Sequence, residues 1–240
     1  MKALTLCLTL GLLASHSFAA AGALIGDPAA GQKLAHELRT LQPTENAEIS
    51  GALKISRPNS PEKTLPLRLK VILLPAGGWK SVYQARLSNG GTESLIILHT
   101  TNQVPQYELL RGDSVDSIKE TNSTATFAGS DFTLLDLGLA FLHWPNQILV
   151  TKEMRKGRGC DVLESRPART NLYARIVSWL DQETSGLLMA EGYDARGKLL
   201  KEFEVKSFKK VAGQWQVREM EIRNRQEKTS TRLQFEFDKQ

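Results

Sequence analysis

After Cys7 the chain holds one further cysteine, Cys160, so a body folded downstream of the first residues contains no internal disulfide. Histidine is nearly as scarce. His36, His99 and His143 are not spaced with another His, Cys or carboxylate as a metal-ligand set, so no metal is expected. There is no G-x-S-x-G, no H-E-x-x-H and no phosphate-cradling glycine loop, and nothing points to an enzyme or a cofactor. Beyond residue 14 no apolar run approaches the roughly 20 residues of a membrane span. Charge of one sign is also missing: 31 basic and 26 acidic residues are interleaved at a net +5, with no basic stripe for nucleic acid. Pro167 is the last proline, which favours an unbroken antiparallel meander after it.

What is present is a globular composition, 41% hydrophobic and 24% charged. Lys2, the apolar run Ala3 to Ala14 and the small-x-small site Ser17-Phe18-Ala19 read as a secretory signal peptide over 1–19. Cys7 lacks the small residues that precede a lipidated cysteine, so the expected product is periplasmic or secreted, without a lipid anchor. Cys160, with no second thiol or His near it in sequence, reads as structurally incidental.

Asp27-Pro28 is a helix start, and Leu34, Leu38 and Leu41 form one narrow apolar stripe behind it. Residues 20–44 are thus an N-terminal helical segment lying on a sheet. From residue 45 the period becomes two. Strands are expected at 49–55, 65–74, around Tyr83-Ala85-Leu87, 93–99 and 104–110, with Asn89-Gly90-Gly91 as a hairpin turn. Residues 112–130 are polar and read as a loop; the tripeptide Arg111-Gly112-Asp113 and the sequon at Asn122 are too short to carry weight.

Phe132 precedes the capping-box-like start Thr133-x-x-Asp136, and a helix then runs to Leu142 with Asp136 as its single charge. Such a helix is covered on several sides: it is buried in a core or it roofs an apolar cavity. His143 falls at its C-terminus, where positive charge is mildly favoured. Further strands are expected at 148–154, 160–164, 172–180, 186–193, 199–211, 215–222 and 231–237, with a phase slip between Trp215-x-Val217 and Met220-x-Ile222 that signals a bulge. The fold class is mainly β (α+β): a curved antiparallel sheet of about ten strands with two or three helices. Residues 45–240 form one domain together with the helix. Sequence alone leaves open whether the apolar face is packed solid or holds a pocket, and whether Trp79, Trp144, Trp179 and Trp215 line one or the other.

Several segments match a known family in order. Phe127-Ala-Gly-Ser-Asp-Phe-Thr-Leu-Leu-Asp-Leu137, Tyr173-Ala-Arg-Ile-Val-Ser-Trp-Leu-Asp181, Glu191-Gly-Tyr-Asp-Ala-Arg-Gly-Lys-Leu199, and Trp215 with Met220 resemble the signatures of LolA-like outer-membrane lipoprotein-sorting proteins over residues 120–225. The resemblance implies a half-open barrel whose mouth is closed by helices, and an apolar interior that shelters acyl chains of lipoproteins or lipids crossing the periplasm. It implies an inner-membrane exporter and an outer-membrane acceptor as partners, and no bond-making chemistry. It makes the helix with Phe132, Leu135, Leu139 and Leu142 part of a lid. It turns Leu67, Leu69, Val71, Tyr83, Leu87, Ile176 and Trp179 toward the cavity as lipid-binding residues. The basic residue with which these carriers latch their lid has no evident counterpart. The alternative reading is a non-carrier envelope sensor or exporter-accessory binding module on the same fold.

Overall fold

The computed structural model describes residues 26–101, 103–112, 114–118, 123–211 and 214–237; the leader at 1–19, Asn122 and the turn at 212–213 lie outside them. Helix α1 (Pro28–Thr40) is followed by β1 (Ala47–Ser56), β2 (Lys63–Leu73), β3 (Trp79–Arg86), β4 (Thr92–His99), β5 (Gln106–Arg111) and β6 (Ser114–Ile118). A connector carries the short helix α2 (Leu134–Leu137) and a 3₁₀ helix (Ala140–His143). Then come β7 (Asn146–Arg155), β8 (Arg158–Arg166), β9 (Arg175–Asp181), β10 (Leu187–Tyr193), β11 (Leu199–Val211), β12 (Gln214–Asn224) and β13 (Thr229–Glu236).

Among the described residues all the strands join one antiparallel sheet of thirteen, in the order β6-β5-β4-β3-β2-β1-β13-β12-β11-β10-β9-β8-β7. The count exceeds the expected ten, and part of the excess is β6, which lies inside the stretch read as a loop. Its sequence, Ser-Val-Asp-Ser-Ile, is polar enough for an edge strand and too polar to announce itself. The bulge does fall where the phase slips: Ser207 pairs with Glu219 and Phe208 with Val217, leaving Arg218 without an opposite residue.

The topology dictates the rest. β1 and β13 pair at the middle of the sheet, so the two edges are β6 and β7, which are neighbours in sequence. The connector between them has to travel from one edge of the sheet to the other. It does so across a single apolar face, where Leu67, Tyr83, Leu95 and Leu109 from one half share a core with Leu163, Ile176, Ala190 and Ile222 from the other. Phe132, Leu134, Leu135, Phe141 and Leu142 of the connector are buried in that same core. One segment packing against both halves requires the sheet to curl around it, which makes this face concave and the connector its lid.

α1 lies beside the lid. Asp27 caps it through Ala30 N at 3.0 Å, as Asp27-Pro28 predicts. Its contact face is Gly31 and Ala35 rather than the leucine stripe, since Leu34 and Leu38 are half-buried and Leu41 is exposed. A Cβ at Gly31 would sit 2.6 Å from Ile148 Cα, so only glycine permits this approach to β7. Arg39 Nη1 donates to Leu142 O at 2.7 Å and Gln32 to Pro145 O, tying α1 to the end of the lid.

Candidate functional site

The lid helix expected to run from Leu134 to Leu142 is broken. Thr133 and Asp136 form the full capping box, but α2 ends at Gly138, and Leu139 adopts a left-handed backbone at φ 49° before the 3₁₀ helix. A left-handed leucine is strained by about 1 kcal/mol or more. The residue at the break has to be glycine: a Cβ at Gly138 would run into the Tyr107 phenol on β5. The break turns Leu139 outward, 36% exposed, while its neighbours stay buried.

Polar groups pin the lid to the sheet. Asp136 Oδ2 accepts from Thr133 N at 2.9 Å, Thr133 Oγ1 at 2.7 Å and Lys201 Nζ of β11 at 3.2 Å. Asp136 Oδ1 accepts from the Tyr173 phenol at 2.8 Å, and burial together with this carboxylate pushes the phenol well above its usual pKa. Lys201 Nζ also donates to Asp131 O at 2.6 Å. Asp131 in turn accepts from Thr229, from Thr231 at 2.7 Å and from Arg57 Nη1 at 2.9 Å. On the far half, Glu93 Oε1 of β4 accepts from Ala128 N at 2.6 Å. Lys201 is thus a basic residue that holds the lid. Its contact with Asp136 spans 65 positions of sequence, which no local pattern reveals. The Asp136 cluster is saturated with donors and leaves no free base for acid–base chemistry.

Two spaces adjoin the lid. An inner cavity of about 30 Å³, room for about one water, lies beside Asp136, Tyr173 and Lys201. A cleft of about 320 Å³ opens at the mouth, where Leu38 of α1 and Leu41 just past its end, Trp79 and His99, the lid, and Leu180 and Leu187 converge. Leu139, Phe141 and Leu187 line both spaces, so they form the partition between them. Trp79 stacks on His99 with ring centroids 4.5 Å apart. Burial first and His143 second lower the His99 pKa to about 4. Burial first and Arg39 second lower His143 to about 4. His143 therefore lines the cleft as a neutral ring, against the expectation that a helix C-terminus favours its charge. The mouth is mainly apolar despite two histidines, with Arg39 as the charged side chain in its lining.

The expected lipid-facing residues separate into groups. Leu67, Tyr83, Phe132, Leu135, Leu142 and Ile176 are buried in the concave core, and Leu69 and Leu87 pack partly against it. Val71 is half-buried on β2. Of the expected residues, Leu139 and Leu142 line the cleft. Trp179 does not face the cavity. It stands three residues from Ile176 on one strand, an odd spacing that puts it on the opposite face, with Cys160, Val162 and Leu188. There its indole donates to Glu153 at 2.5 Å and Arg155 covers its ring. Trp144 belongs to the concave core, whereas Trp215 is 61% exposed and belongs to neither core.

A family model described as "Uncharacterized protein" matches residues 109–239, more than half of the chain. The chain belongs to that family. A lipoprotein-sorting protein domain from Vibrio parahaemolyticus superposes with a TM-score of 0.74 at 22% identity, covering 88% of this chain and 92% of that one. A protein of a family of unknown function from Desulfovibrio piger gives 0.73 at 21%, and a LolA superfamily protein from Nitrosomonas europaea 0.62 at 15%, each with the same coverage. The fold is LolA-like. No curated protein matches the sequence. In LolA-like terms the thirteen strands are the half-barrel, and the connector with α1 closes its mouth.

Proposed function

We propose that this LolA-like chain binds an acyl chain of a lipid or lipoprotein at its mouth and carries it across the periplasm toward the outer membrane. The observation that supports this most is the apolar cleft of about 320 Å³, at the lower end of ligand-pocket sizes. Displacing Leu139 and Phe141 joins it to the inner cavity, so a chain entering at the mouth can extend beneath the lid. Each methylene buried there contributes about 0.8 kcal/mol. The polar lid contacts oppose opening while the strained backbone at Leu139 favours it, which suits a holder that must also let go. A leader of secretory type and the description of the Vibrio relative agree with this reading.

The test is displacement of N-phenyl-1-naphthylamine by palmitate, with native mass spectrometry of protein purified without detergent. Leu139→Asp alters an exposed cleft residue, so the fold is retained and probe affinity falls about tenfold or more. Leu139→Met retains it. No probe binding by the wild type, together with a clean apo mass, overturns the reading and leaves the protein-binding module.

A further inference from the structure

We propose that the paired strands β11 and β12, where Phe208 and Lys210 lie opposite Val217 and Trp215, form a docking element for anionic phospholipid surfaces. Lys210 pairs with Trp215 and Phe208 with Val217 across this hairpin, so all four share one face. Trp215 is 61% exposed and Phe208 39%, at positions where a soluble sheet ordinarily shows polar side chains. Phe208, Trp215 and Val217 form one wall of a groove of about 250 Å³, whose other wall is Arg158, Asp181, Thr184 and Gly186. A third exposed apolar side chain, Met154 at 67%, stands near the tip of the β7–β8 hairpin at the same end of the sheet.

Charge selects the occupant. Most acids at this end are committed: Asp181 and Glu183 to Arg158, Glu153 to Arg155, Glu204 to Lys156 and Lys206, and Glu219 to Arg232, while Glu236 at the end of β13 is exposed. Lys210 and Arg218 are exposed and form no ion pair among the described residues. Exposed tryptophan and phenylalanine flanked by uncompensated cations fit the interface of a bilayer: the aromatic rings sit at headgroup level and the cations meet lipid phosphates. An acidic protein would be met by the cations but leaves the aromatic face without a counterpart.

This inference does not depend on acyl-chain binding, and its readout does not use the probe. The experiment is flotation of the intact chain with phosphatidylethanolamine–phosphatidylglycerol vesicles and with phosphatidylcholine vesicles, at 0.05 M and 0.5 M salt. Flotation with the anionic vesicles at low salt is expected. Trp215→Ala lowers it about tenfold or more, and removing Lys210 or Arg218 charge lowers it about fivefold each. The melting curve stays unchanged, because these side chains are exposed. Absence of flotation overturns the proposal, as does flotation insensitive to Trp215→Ala. A dimer that Trp215→Ala converts to monomer, without vesicle binding, overturns it in favour of a second copy.

Discussion

Replacing Lys201 by methionine isolates the anchor of the lid. Lys201 is 6% exposed and donates to Asp131 O and Asp136 Oδ2. Breaking a buried pair from one side typically costs about 3–5 kcal/mol, because the surviving charge is left without its counterion. Here Asp136 keeps three donors, two from Thr133 and one from Tyr173, which moderates the loss. The orphaned Asp131 carbonyl adds about 1–3 kcal/mol if water does not reach it. The expected destabilisation is therefore about 3 kcal/mol, read as a lowered urea midpoint at unchanged slope. Adding Asp136→Leu to Lys201→Met should deepen the loss, because the Thr133 N–H, the Thr133 hydroxyl and the buried Tyr173 phenol then lose their acceptor. Hydrogen exchange should rise most over residues 134–143. A loss below about 0.5 kcal/mol, or exchange that rises uniformly over the sheet, would refute the assignment of Lys201 as the lid's anchor.

Three further outcomes follow from groups described above. His99 and His143 titrate near 4 when folded and near 6.5 when unfolded, so the unfolded chain takes up protons first and stability falls as pH drops from 6.5 to about 4. Screening at the open mouth reduces the combined effect to about 3 kcal/mol, and a double His→Gln variant should flatten that part of the stability–pH curve. Asp27→Ala removes the cap on α1 and should cost about 1 kcal/mol in thermal or urea unfolding. Cys160 is fully buried and burial raises its thiol pKa, so a thiol reagent should label it only at the rate of global opening.

The parts of the fold legible in the sequence are those written locally. Asp27-Pro28, the Thr133–Asp136 box and the slip at Arg218 each announce a feature through residues within a few positions of one another. The proline-free tail from β9 onward appears with nearly the expected strands. The illegible parts depend on distant partners. Leu139 looks like any leucine of an apolar helix, and only the approach of Tyr107 from another strand shows why its neighbour at 138 is glycine. Ile176 and Trp179 are both apolar, and strand parity alone separates a core residue from one on the outer face. The two histidines of the mouth lie 44 positions apart and become neutral neighbours through burial.

The central pairing of β1 with β13 also sets how the molecule assembles. Every other strand pair joins neighbours in sequence, so two ladders, β1–β6 and β7–β13, can each form by local hairpin steps. Bringing Gly51 opposite Phe235 closes a loop of nearly the whole chain, at an entropic cost of about 4–5 kcal/mol beyond a constant term. The lid's two sets of partners, Tyr107 and Glu93 on one ladder and Tyr173 and Lys201 on the other, meet only after that closure. Residues 134–143 should therefore show φ-values near zero, and measured values near one would reverse the order. A lid that is the last part to set in folding is also the first free to lift in the native state.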